Sequence, residues 1–92
     1  MNRITDELLV SRAEHNEGSL INLEELALHQ QHLGKIEYLN SVCANLKHLY
    51  LQDNAIGRIE NLKRLRGLQH LNLAMNNIQV RPASHLSMKG YS

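Results

Sequence analysis

The sequence contains no phenylalanine and no tryptophan, and three tyrosines supply its whole aromatic content, 3% of 92 residues. Stacking platforms of the kind that single-stranded nucleic acids use are therefore scarce. A single cysteine excludes an internal disulfide framework and fits a reducing compartment. No apolar run approaches the roughly 20 residues that span a bilayer, and the start, MNRITDELLV, lacks the apolar stretch of a signal peptide. There is no glycine-rich phosphate loop. These absences predict a soluble, cytoplasmic, non-catalytic chain with no cofactor and no membrane contact. What is abundant is leucine, at 17 positions, and asparagine, at 10. One dominant aliphatic residue, with asparagine at this frequency, points to stacked similar layers rather than an irregular core.

Those layers are visible as a fixed period. Leu46, Leu49, Leu51, Asn54 and Ile56 recur 22 residues later as Leu68, Leu71, Leu73, Asn76 and Ile78. An earlier copy, Leu23, Leu26, Leu28, Gln31 and Leu33, lies 23 residues ahead. In the second half of the unit, Ile36, Leu39 and Val42 return as Ile59, Leu62 and Leu65, again 23 apart. On this alignment the extra residue of the first unit lies between Val42 and Leu46. The pattern is the leucine-rich repeat, and it predicts an α/β solenoid with a short parallel concave sheet. In each L-x-L the two leucines point inward from a short strand and the flanking residues point outward. Asn54 and Asn76 follow the strands, where their amides can satisfy backbone groups of neighbouring coils. Apolar residues spaced by three suit a 3₁₀ or helical arc on the other side.

Residues 1–19 read as an amino-terminal capping helix and loop. Thr5 is the N-cap, Asp6 and Glu7 lie at the positive end of the helix dipole, and Ile4 and Leu9 form a hydrophobic staple. Leu8, Leu9 and Ala13 are expected to dock on the first coil. Residues 20–80 hold two complete repeats and a third that stops in mid-unit. After Ile78 the register asks for apolar residues at 81, 84 and 87 but meets Arg81, Ser84 and Ser87. Residues 81–92 are therefore expected to be a divergent, disordered tail, as in an amino-terminal fragment or short isoform. Without a cap, Leu68, Leu71, Leu73 and Ile78 would each show one side to solvent unless the tail folds back through Leu86 and Met88. That predicts self-association through the last strand's open edge.

The net charge of +1 hides an asymmetry: residues 1–40 sum to −4 and residues 41–92 to +5. Lys63, Arg64 and Arg66 cluster, with Arg58 nearby, and without interleaved aromatics they read as a solvated face rather than a nucleic-acid footprint. His29 and His32 form H-x-x-H but lack the further ligands a zinc site requires. Cys43 reads as a small buried residue rather than a nucleophile. The outward strand residues form three columns: Glu25, His48 and His70; Ala27, Tyr50 and Asn72; His29, Gln52 and Ala74. Seven of them, Glu25, His29, His48, Tyr50, Gln52, His70 and Asn72, are the candidate protein-binding face. Tyr50 is its best anchor, combining a large rigid area with a polar tip. The stacked histidines would make binding pH-sensitive.

Beyond the repeat frame, Leu23-Glu-Glu-Leu-Ala-Leu-His-Gln-Gln31, Leu46-Lys-His-Leu-Tyr-Leu-Gln-Asp-Asn54 and Leu71-Asn-Leu-Ala-Met-Asn-Asn-Ile78, with Ala13-Glu-His-Asn16 and Ile59-Glu-Asn61, closely resemble the amino terminus of the tilB family. The resemblance covers roughly residues 4–79. It implies a non-catalytic scaffold that helps chaperones preassemble axonemal dynein arms in the cytoplasm of ciliated or flagellated cells. Its protein partners would be that dynein-assembly chaperone machinery. The repeat frame taken alone equally fits a generic binding module for RNA-associated proteins or a phosphatase, or a truncated product without a function of its own.

Overall fold

The computed structural model describes residues 1–79. Its regular elements are helix α1 (Asp6–Arg12), a 3₁₀ turn (Glu14–Asn16), strand β1 (Glu25–Ala27), a short helix α2 (Leu39–Val42), and strands β2 (His48–Tyr50) and β3 (His70–Asn72). The three strands form one parallel sheet in the order β1-β2-β3. Its register pairs Glu25 with His48 and His70, Leu26 with Leu49 and Leu71, and Ala27 with Tyr50 and Asn72. The leucine-rich-repeat fold is therefore present, an α/β arrangement with one strand per coil. Residue 80 and the tail expected over 81–92 lie outside the described residues.

The core follows from the repeat. Leu23, Leu26, Leu28, Leu33, Ile36, Leu39, Leu46, Leu49, Leu51 and Ile56 are all fully buried. Each coil contributes only a few leucines, so its apolar interior exists only where two coils face each other. Leu71 is also fully buried, whereas Leu68, Leu73 and Ile78 are half-buried. Leu71 is thus closed to solvent, unlike the expectation for an uncovered last coil, while Leu86 and Met88, the residues expected to cover it otherwise, lie outside the described residues.

The placement of the extra residue is a second correction. Cys43, not Val42, is the fully buried residue of the first arc, and Val42 is only half-buried. The Cys43 N–H bonds the Leu39 carbonyl at 2.8 Å, closing an α-type turn. In the next coil, Leu65 bonds back to Leu62 at 3.0 Å and Leu68 to Leu65 at 3.1 Å, each three residues apart. The first arc thus spans four residues where the second spans three, and the added residue sits between Leu39 and Cys43. An α turn and a 3₁₀ turn both return the chain to the same face.

Asparagine amides lock one coil to the next. Asn54 Oδ1 accepts from the backbone N–H groups of Gln31 and Leu33, both at 3.0 Å. Its Nδ2 donates to the carbonyls of Leu28 at 3.0 Å and Leu51 at 2.9 Å. Asn76 Oδ1 accepts from Ile56 N–H at 2.9 Å, and its Nδ2 donates to the carbonyls of Leu51 and Leu73. Asn45 and Asn61 add a bond each to the preceding coil, at the carbonyls of Ile21 and Ile36. The residue before each turn position, Gln30, Asp53 and Met75, has a positive φ of 56°, 62° and 60°. The left-handed conformation therefore recurs with the repeat itself.

The first coil has no predecessor, and the amino terminus takes that place. Asn2 pairs in parallel with Leu33 and donates through N and Nδ2 to the carbonyls of His32 and Gln31. Helix α1 is capped as its sequence predicts: the Thr5 hydroxyl accepts from Leu8 N–H at 3.2 Å. Ile4, Leu9 and Ala13 are buried against the first coil, and Leu8 packs at the margin. Two surface contacts hold this cap laterally: Arg3 with Glu37 at 2.8 Å, and the Tyr38 hydroxyl donating to Asp6 at 2.6 Å.

Candidate protein-binding face

The parallel register brings the outward residues of three strands, far apart in sequence, onto one face. His48 and His70 are paired neighbours with ring centroids 6.2 Å apart, tilted by 43°. Tyr50 lies diagonally from His70, at 5.4 Å and 48°. The half-buried rings of His48, Tyr50 and His70 thus make one aromatic cluster at the middle of the sheet. Glu25 stands exposed beside it on β1.

The third column continues past the strand ends. Gln30 N–H bonds the Gln52 carbonyl at 3.2 Å, and Asp53 N–H bonds the Ala74 carbonyl at 2.9 Å, so the parallel ladder extends beyond the formal strands. That extension keeps His29 and Gln52 in step on the same face. His29 Nδ1 and Gln52 Oε1 are both buried without a hydrogen-bond partner among the described residues. A buried polar atom left unpaired costs about 1–3 kcal/mol, so two of them on adjacent rungs mark a local deficit in bonding. Asn72 differs from the other candidates. Its Oδ1 accepts from Ala74 N–H at 3.0 Å and so is already engaged in its own turn.

All seven candidate residues therefore lie on one surface. Sequence reasoning passed over the rim of this face. Gln30 Nε2 donates to Asp53 Oδ2 at 3.0 Å, tying two coils together at the turn. Both residues precede the asparagine position by one, a regularity the repeat already displayed.

The other candidate groups lie elsewhere. Lys63, Arg64 and Arg66 are exposed on the arc opposite the sheet. Arg64 and Arg66 share a surface cavity with Asn22, Asn45, Lys47 and Gly67, where Lys47 also pairs with Glu24 at 3.5 Å. His32 is exposed with a φ of 57°. No group of three or more metal-ligating side chains occurs among the described residues. Cys43 is fully buried, and the loss of solvation pushes its thiol up to about 11, which keeps it protonated and unreactive at neutral pH. No helix among the described residues is long and apolar enough to cross a membrane.

A family model for leucine-rich repeats in two copies matches residues 44–87. With the repeated strands and asparagine ladder, this places the chain in the leucine-rich-repeat class of proteins. Within that class its relatives are specific. It is 56% identical over 78 residues to Dynein axonemal assembly factor 11 of Trypanosoma brucei brucei, covering 85% of this chain and 20% of that protein. It is 49% identical over 73 residues to the Homo sapiens protein of the same name, covering 79% and 16%. Protein tilB of Drosophila melanogaster is 47% identical over 72 residues, covering 78% and 18%. The resemblance to the tilB family read from the residues is thereby borne out. The chain spans about a fifth or less of the length of the curated relatives it matches. No solved structure matches it.

Proposed function

We propose that this chain supplies a protein-recognition surface for the assembly of axonemal dynein arms, acting in the cytoplasm of cells that build cilia or flagella. The observation that carries this reading is the identity of 47–56% over some four-fifths of the chain to proteins named for that process. An identity this high extends well beyond the leucine frame that any repeat protein would share. The surface is the sheet face carrying His48, Tyr50 and His70, and its role is non-catalytic. The partners are proteins of the dynein-assembly chaperone machinery or dynein subunits themselves.

Tyr50→Ala tests the surface and the role together. The tagged chain, expressed in cells growing motile cilia, is recovered from the cytoplasm and blotted for axonemal dynein chains and assembly chaperones. Co-recovery with the unaltered chain, lost with Tyr50→Ala while circular dichroism is preserved, is the expected result. Recovery that ignores Tyr50 would move the contact off this face, and recovery of neither class of protein would refute the role.

A further inference from the structure

We infer that the surface cavity lined by Lys47, Arg64 and Arg66 receives an acidic segment of a protein partner, whose carboxylates these three cations hold. None of the residues lining this cavity belongs to the sheet face, so its role goes beyond the reading of that face and does not rest on it.

Coil stacking builds the site. Asn22, Asn45 and Gly67 hold corresponding places in successive coils, 23 and 22 residues apart, and Glu24 and Lys47 correspond in the same way. The backbone there is fixed. The Glu24 carbonyl accepts from the N–H groups of Lys47 and His48 at 2.8 and 2.9 Å, and the Lys47 carbonyl from those of Gln69 and His70 at 2.8 and 3.0 Å. Arg64 and Arg66 join from the end of the second arc, and side chains far apart in sequence line one cavity of about 510 Å³. Arg64, Arg66, Asn22 and Asn45 are exposed, and the Lys47 side chain is 44% exposed, so an incoming group can reach every one of them.

Charge selects the occupant. Residues 61–92 contain Lys63, Arg64, Arg66, Arg81 and Lys89 and no Asp or Glu. Among the described residues Arg64 and Arg66 have no ion-pair partner. Lys47 has one, Glu24 at 3.5 Å, but both side chains are well exposed, and a surface pair of this kind is weak and exchangeable. Glu24 also shows which anion this wall accepts, a carboxylate. Arginine adds a planar fork that grips such a group through two parallel hydrogen bonds. None of the described lining residues is aromatic, so a nucleic-acid base finds no stacking platform here.

The test uses the full 92-residue chain, isotope-labelled for NMR, with the hexapeptide acetyl-Glu-Asp-Glu-Asp-Glu-Asp-amide as probe. Saturable shifts are expected at Asn45, Lys47, Arg64, Arg66 and Gly67, weakening as salt is raised. The peptide of the same length made from glutamine and asparagine should produce none. Arg64→Gln and Arg66→Gln should each lose about threefold in affinity, the scale of an exposed ion pair. Glu24→Gln should tighten binding by about threefold, because it releases Lys47 from its internal partner. All three altered side chains are exposed, so these variants keep the fold. Tyr50→Ala should leave peptide binding unchanged. Shifts spread evenly over Arg12, Lys35 and Arg58 signify charge attraction without a site and overturn the proposal, as does an unchanged affinity in Glu24→Gln. Tighter saturable binding at the same residues by a phosphoserine peptide or an RNA hexamer assigns the cavity to phosphate and likewise overturns it. Shifts on merely concentrating the protein, at these residues together with Asp6, Glu7, Glu14 and Glu17, assign the cavity to the acidic cap of a second copy, with the same consequence. If the hexapeptide fails to bind while Tyr50→Ala still loses the dynein-assembly proteins, the sheet-face reading stands and the acidic-segment proposal alone falls.

Discussion

Replacing Asn54 with alanine should be among the most destabilising single changes in this chain, although the side chain is polar and only half-buried. Four of its contacts lie at or below 3.0 Å. The Leu51 carbonyl keeps a second donor, Asn76 Nδ2 at 2.8 Å, so its loss is small. The backbone N–H groups of Gln31 and Leu33 make no other hydrogen bond among the described residues, and truncation leaves both unpaired between two coils. At about 1–2 kcal/mol for each orphaned donor, with a smaller loss at the Leu28 carbonyl, the total is about 3 kcal/mol. For a domain of this size that lowers the melting temperature by about 12–24 °C. Asn76→Ala orphans one donor, the Ile56 N–H, where Asn54→Ala orphans two, and with a smaller loss at the Leu73 carbonyl it should cost about 1–2 kcal/mol. Gln31→Ala removes a single bond to the His29 carbonyl and should cost still less. Thermal melts and urea titrations followed by circular dichroism, with an unchanged denaturant slope, measure this order. An Asn54→Ala melt within about 2 °C of the unaltered chain, well under 1 kcal/mol, would refute the claim that these amides hold the coils together.

Three further outcomes follow from single observations. Met75 is 77% exposed with a φ of 60°, so Met75→Asn, which tolerates that conformation, should raise stability by about 1 kcal/mol in the same melts. The buried Cys43 thiol, raised to about 11, holds its proton more tightly folded than unfolded. Its contribution is therefore complete below the ordinary thiol range and lost as pH climbs from about 9 through 11. Cys43→Ala should flatten that alkaline decline in a pH series of melts, and iodoacetamide should label Cys43 only once urea unfolds the chain. RNA and DNA should show no measurable binding near physiological salt in a filter or polarisation assay. Steep salt-dependent binding lost on neutralising Lys63, Arg64 and Arg66 would contradict this.

Much of the architecture is legible in one dimension because a leucine-rich coil is a local object. L-x-L places two side chains on one side of any strand, and a period of 22 or 23 stacks like on like, so the register Glu25–His48–His70 could be written down beforehand. The Thr5 cap is equally readable, since an N-cap bond spans four consecutive residues, here Thr5 to Leu8. The outward residues of the face can be named one by one for the same reason.

Tertiary structure decided what local spacing leaves degenerate. Val42 and Cys43 are adjacent small apolar residues, and either could fill the first arc. The Cys43–Leu39 hydrogen bond selects the α turn and buries the cysteine. Nothing around Asn2 announces that it will serve as the rung before the first coil, because its partners lie some 30 residues away. Gln30 and Met75 hold the left-handed conformation against their own preferences, since the stacked turn of a neighbouring coil imposes it. The unpaired atoms of His29 and Gln52 belong to the same category. Sequence places both residues on one face, but only the packed sheet shuts water from one atom of each and leaves them without a partner there.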